Sequence, residues 1–197
     1  MESGNSPAST IPDGFKVVGF YGPVRSGKSY IAELVARECG YVVKDTSAVL
    51  HKLCAEFTPL LKTEFIGEAS KETRRATYKR LAQISIGVFG PDILCRTLVW
   101  ESLEEGASGL CIAGVRMNAD VEYIRSLGGV LCRVLATEDT IKRRYEERLK
   151  EPFDPKVLQE PWDRQLEHVE FDLTIRNNDD KIETESDLTK LFAYLCP

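Results

Sequence analysis

Gly22-Pro23-Val24-Arg25-Ser26-Gly27-Lys28-Ser29 is a complete GxxxxGKS stretch, and its flanks decide how it reads. Ahead of it runs FKVVGFYG (15–22), a short aromatic and β-branched run that stops at glycine, as a buried parallel strand does. Behind it SYIAELVAREC (29–39) repeats Ile31, Leu34, Val35 and Cys39 at three- and four-residue spacing, the apolar face of a helix. In a strand–turn–helix of this kind the two glycines let the backbone curl around a phosphate chain, and the N–H groups and positive helix end face the anion. Lys28 supplies a mobile ammonium for the β- and γ-phosphates, and the Ser29 hydroxyl a ligand for Mg²⁺. Gly22, Arg25, Ser26, Gly27 and Tyr30 complete the expected cradle for the phosphate donor.

The rest of the chain extends this unit. YVVK (41–44) reads as a second strand, and TSAVLHKLCAEF (46–57) as a helix with Thr46 or Ser47 as N-cap. Residues 58–70 hold Pro59 and Gly67 without a period and read as a loop or broken helix. Two helices then meet at Gly90-Pro91, with Pro91 expected in the first turn of the second. GLCIAGV (109–115), GVLCRVLA (129–136) and FDLTI (171–175) are strands of the buried type. Helices are expected over NADVEYIRSLGG (118–129), over TEDTIKRRYEERLKE (137–151) behind the N-cap Thr137, and over ESDLTKLFAYL (185–195). This alternation predicts an α/β fold, a five-stranded parallel sheet with helices on both faces. One domain over 15–197 follows a disordered leader over 1–14, with a helical insert at 56–105 and a lid at 137–160.

Composition narrows the function classes. With 197 residues, 26 Lys+Arg against 31 Asp+Glu and a net charge of −5, the chain has no extended nucleic-acid surface, and no apolar run approaches a membrane span. Cys39, Cys54, Cys95, Cys111, Cys132 and Cys196 form neither a CxxC pair nor a Cys/His cluster, which points to thiols in a reducing, cytoplasmic setting. A guanine-reading NKxD is missing, because Arg176-Asn177-Asn178-Asp179-Asp180 lacks the lysine, and the chain is short for a motor. Phosphoryl transfer to a small acceptor, by a monomer or homodimer, is the class that remains.

Candidate residues follow from placement. Arg74, Arg75, Lys79, Arg80, Gln83 and Arg96 crowd the helical insert, and Arg80, Gln83 and Arg96, set among apolar neighbours, are expected to hold the acceptor. Arg116 follows GLCIAGV at the carboxyl end of the sheet, where a planar guanidinium suits a phosphate or base edge. Arg143, Arg144 and Arg148 read either as lid arginines over the transferring phosphoryl group or as a solvated helix face. Asp45, closing the second strand, is open to two roles. It can orient or deprotonate the acceptor, or hold Mg²⁺ through water; alternatively it caps the next helix. His51 and His168 have no partner at a recognisable spacing and are assigned to structure.

These segments resemble the P-loop nucleoside monophosphate kinase superfamily, especially its deoxynucleoside monophosphate kinase and dephospho-CoA-kinase-like branches. Arg80-Leu-Ala-Gln83-Ile-Ser-Ile-Gly87 with Arg96 is similar to R-x-L-Q-x-x-G…R, and GVRMNADVEYIRSLGGVLCRV to DVRxxxEx…IxxxGGxxIRI. FDLTIRNN with the ESDLTKLF helix is similar to that branch's closing strand, Asn and helix. The resemblance implies ATP with Mg²⁺ at the loop, a nucleotide acceptor on the insert, an arginine-bearing lid, and Asn177 beside the donor adenine with Arg144. It implies a deoxynucleoside monophosphate kinase activity, with a dephospho-CoA-like kinase acting on a hydroxyl as the alternative. One departure stands out: the family's strand-end acid is replaced by Gly114 behind Ala113. Either Asp45 takes over its part, or the chain binds ATP as a regulatory or structural protein without turnover.

Overall fold

The computed structural model describes residues 11–61, 71–159 and 164–195. Strands β1 (Lys16–Tyr21), β2 (Val42–Asp45), β3 (Gly109–Ala113), β4 (Val130–Leu135) and β5 (Leu173–Arg176) alternate with helices. The helices are α1 (Lys28–Cys39), α2 (Thr46–Leu61), α3 (Lys71–Phe89), α4 (Ile93–Glu104), α5 (Asn118–Ser126), α6 (Glu138–Leu149) and α7 (Lys181–Leu195). The strands form one sheet in the order β2-β3-β1-β4-β5, and every pairing is parallel. The expected five-stranded parallel sheet is therefore present.

Because side chains alternate along a strand, β1 feeds two cores. Val17 and Tyr21 pack on one face with Leu110, Ile112, Leu98 and Ile124, under α2 to α5. Val18 and Phe20 pack on the other with Ile31, Val35 and Leu191, under α1 and α7. Covering both faces explains why these strands are continuous apolar runs rather than alternating ones. It also fixes the loop after β1 at the centre of the sheet's carboxyl edge. Cys39, Cys54, Cys95, Cys111 and Cys132 form no disulfide, and burial pushes the Cys111 thiol up to about 12, as expected of small apolar side chains rather than nucleophiles.

Several boundaries differ from the sequence expectation. Helix α2 continues through Pro59 to Leu61, and the rest of the expected 58–70 break, residues 62–70, lies outside the described residues. Neither Thr46 nor Ser47 caps α2 with its side chain: Asp45 Oδ1 accepts the Ser47 N–H at 2.7 Å, and the buried Thr46 hydroxyl donates to the Gly114 carbonyl at 2.9 Å. Pro91 stands ahead of Asp92, outside α4. The terminal helix begins at Lys181 rather than Glu185, since Asp180 Oδ1 accepts the Ile182 and Glu183 N–H groups. Residues 1–10 of the expected leader lie outside the described residues, whereas Ile11 packs against the core. His51 Nδ1 and Tyr78 Oη meet at 2.7 Å and join α2 to α3.

Candidate functional site

The loop between β1 and α1 is built as its sequence dictates. Gly27 caps α1 in the left-handed region at φ 93°, and Arg25 takes φ 61°. This curl buries Ser26 completely and leaves its hydroxyl without a hydrogen-bond partner. A buried orphan hydroxyl is costly, and a ligand's oxygen is the natural group to satisfy it. Lys28 turns its ammonium back onto the loop, donating to the Gly22 carbonyl at 2.7 Å and the Pro23 carbonyl at 2.8 Å. Ser29 and Tyr30 are exposed at the mouth.

A second cation closes the loop from α6. Arg144 donates to the carbonyls of Arg25 at 3.3 Å and Ser26 at 3.2 Å, to Asn177 Oδ1 at 3.3 Å and to Asp179 Oδ1 at 2.6 Å. Asn177, directly after β5, returns its amide to the Ser26 carbonyl at 2.9 Å. Arg143 pairs with the same Asp179. Asn178 Oδ1 accepts the Thr137 N–H at 2.8 Å, so the turn after β5 also grips the start of α6, where Thr137 is the N-cap as expected. Burial, followed by the charge of Arg148, pulls the Arg25 guanidinium below its ordinary value. The result is a cationic rim, formed by Lys28, Arg25 and Arg144, around the amino end of α1. It opens onto a cavity of about 1010 Å³ that reaches between α1 and α7, past Tyr30, Leu34 and Phe192.

Asp179 was legible only as part of a failed guanine motif, yet it holds both Arg143 and Arg144 of α6. Partial burial opposes its ionisation, but Arg144 and Arg143 keep its carboxyl below the ordinary range. A depressed carboxyl contributes above its unfolded pKa of about 4, and that contribution is lost as pH falls through the folded value. At nearly half exposure the pair is screened, so its effect is local. Asp179→Asn is accordingly expected to lower amide protection factors over 138–144 severalfold at neutral pH while the thermal midpoint stays in place; the wild type is expected to lose the same protection only as acidification passes below the ordinary aspartate pKa of about 4 and through the lower folded value.

The residues expected at the acceptor side are arranged less tightly. Asp45 is half-buried at the end of β2, paired in register with Ala113, and it is a helix cap as well as a candidate site residue. Its carboxylate lies over Gly114, where a Cβ would come within 3.2 Å of Oδ2. Gly114, with no side chain, therefore leaves room for the Asp45 carboxylate. Arg116 stands in the turn after β3, partly buried. Arg80 and Gln83 are exposed on α3, not set among apolar groups as expected. Arg96 donates to the Phe89 carbonyl at 2.6 Å and approaches Asp92 at 3.5 Å, closing the α3–α4 turn. The Arg74 and Arg75 side chains lie outside the description. Asp45, Arg80, Gln83, Arg96, Arg116 and Arg143 stay off the cavity wall that Arg25, Lys28, Arg144 and Asn177 share.

No protein-family model matches the chain, and no curated protein matches it in sequence. Solved structures do match. TT1252 from Thermus thermophilus superposes with a TM-score of 0.62 at 18% identity, over 93% of this chain and 98% of that one. Shikimate kinase from Acinetobacter baumannii, in complex with shikimate, superposes with a TM-score of 0.50 at 13% identity, over 96% and 97%. At these identities the likeness is one of fold alone, a five-stranded parallel sheet with helices on both faces that this chain shares with shikimate kinase. Among the described residues no helix is long and apolar enough to cross a membrane.

Proposed function

We propose that the chain is an ATP-dependent kinase that transfers a phosphoryl group to a small acceptor, and that the acceptor is a deoxynucleoside monophosphate. The observation that carries the first half is the cationic rim of Lys28, Arg25 and Arg144 around the amino end of α1, at the loop that buries the unpartnered Ser26 hydroxyl. The acceptor half rests on the resemblance of the insert and of the Arg116 segment.

The donor set fits a nucleotide carrying its own Mg²⁺. Among the described residues no three His, Cys, Asp or Glu side chains converge as a resident metal site, whereas Ser29 offers a hydroxyl and Asp45 a carboxylate, both hard oxygen donors. The cation would neutralise charge on the triphosphate. Lys28 and Arg144 would leave the loop carbonyls for the phosphate oxygens. Arg116 would meet the transferring group from the β3 side. The work of this chain is then positioning and charge neutralisation.

A second reading, transfer to a hydroxyl, is favoured by Asp45 standing alone over Gly114. An alcohol must lose a proton, whereas a phosphate acceptor is already ionised. The test is ADP release from ATP and Mg²⁺ with a panel of nucleoside monophosphates, dephospho-CoA and small polyols. Turnover with deoxynucleoside monophosphates, with Asp45→Asn costing less than about 10-fold, supports the first reading. Turnover with a hydroxyl acceptor and a loss of about 10² to 10⁴ in Asp45→Asn supports the second. ATP binding without acceptor-dependent ADP overturns both and leaves a binding protein.

A further inference from the structure

The turn that carries Arg116 is anchored at every amide. The Gly114 and Val115 N–H groups both donate to the Phe20 carbonyl of β1 at 3.2 Å, one residue from the end of the strand that delivers the phosphate loop. The next two, Arg116 and Met117, both donate to a single oxygen, Asp120 Oδ2, at 3.1 and 3.0 Å. Asp120 is the third residue of α5 and is 1% exposed, and the fully buried Cys95 thiol hydrogen-bonds to its carboxyl. Burial raises the Asp120 carboxyl above its ordinary value, against the pull of the two amides, of the Cys95 thiol and of the Arg116 charge. A carboxyl raised in the folded state favours folding below its unfolded pKa, and that contribution is lost as pH rises through the folded value.

We infer that Asp120 is a positioning residue for Arg116: its carboxylate clamps the Arg116-Met117 turn to α5, while Phe20 clamps the same turn to β1, so that the guanidinium is presented to the transferring phosphoryl group in a fixed direction. The inference rests on the proposed role of Arg116. Two donors converging on one carboxyl oxygen make a stiffer anchor than a single cap bond, and a misdirected guanidinium loses selectively what it gives to the transition state.

The test uses the full chain as wild type, Asp120→Ala, Asp120→Asn, Arg116→Ala and the Asp120→Ala/Arg116→Ala double variant. Hydrogen exchange reads the turn, and calorimetry compares ADP alone with ADP plus aluminium fluoride, a mimic of the transferring phosphoryl. Asp120→Ala is expected to speed exchange at Arg116 and Met117 at least tenfold while β1 and β4 stay protected. It is expected to weaken the fluoride complex about tenfold and ADP alone less than twofold, and to add nothing in the Arg116→Ala background. Asp120→Asn, which keeps an acceptor oxygen, is expected to recover the fluoride complex to within threefold of wild type; if Asp120→Ala does not fold, Asp120→Ser takes its place in the cycle. Unchanged exchange, equal losses for ADP and the fluoride complex, or additive losses in the double variant overturn the inference. An Arg116→Ala chain that binds the fluoride complex as the wild type does removes Arg116 from the proposed mechanism, and the exchange result then decides the anchor separately.

Discussion

Lys28→Ala is expected to lower phosphoryl transfer by about 10² to 10³ and to weaken ATP binding, while the fold holds. Lys28 is the cation that leads the loop into α1, and at rest it spans the Gly22 and Pro23 carbonyls. Both bonds are only partly buried, so water can replace much of the ammonium's role, and the cost to stability is expected at about 1 kcal/mol. Transition-state charge has no such substitute. Calorimetric ATP titration beside a thermal melt separates the two effects. A variant that still binds and turns over ATP as the wild type does would show that the loop is a glycine-rich turn and nothing more.

Gly22→Ala is expected to reverse that balance and damage fold and binding together. Gly22 has φ 156°, and a Cβ there would run into the carbonyl oxygen of Val134 and press on the Ser26 hydroxyl. The first obstacle is backbone of β4, held between β1 and β5, and has no rotamer in which to retreat. Overpacking of this kind costs about 1–3 kcal/mol. For a domain of this size that corresponds to a fall of roughly 3–10 °C in Tm, with ATP binding lost because β1 and β4 must part just where the loop begins. A melt within 1 °C of wild type with intact binding would mean that the loop yields where the sheet should not.

These two glycine and lysine positions were readable in the chain because the motif is contiguous and its neighbours declare strand and helix by period. The sheet was readable for a related reason. Strands buried on both faces become unbroken apolar runs, and FKVVGFYG, GLCIAGV and GVLCRVLA announce themselves without any partner. Helix ends were less legible. Asp45, rather than Thr46 or Ser47, caps α2, and Asp180 starts α7 four residues ahead of the expected Glu185, since any of several adjacent polar residues can fill the capping role until the chain's direction is known. The acceptor side was the least legible. Arg80 and Gln83 carry the right chemistry but are exposed, and Arg96 is occupied at the Phe89 carbonyl.

What the chain determined by itself is the phosphate loop, the parallel sheet behind it and the cationic character of α6, because each is written in residues a few positions apart. What only the tertiary structure decided is which charges meet. Asp179 draws Arg144 onto the loop across more than thirty positions, Asp45 settles over Gly114, and Asp120 takes the amides beneath Arg116. A parallel sheet brings the carboxyl ends of strands distant in sequence to one edge. The pairings made along that edge depend on strand order, which side-chain periodicity does not encode.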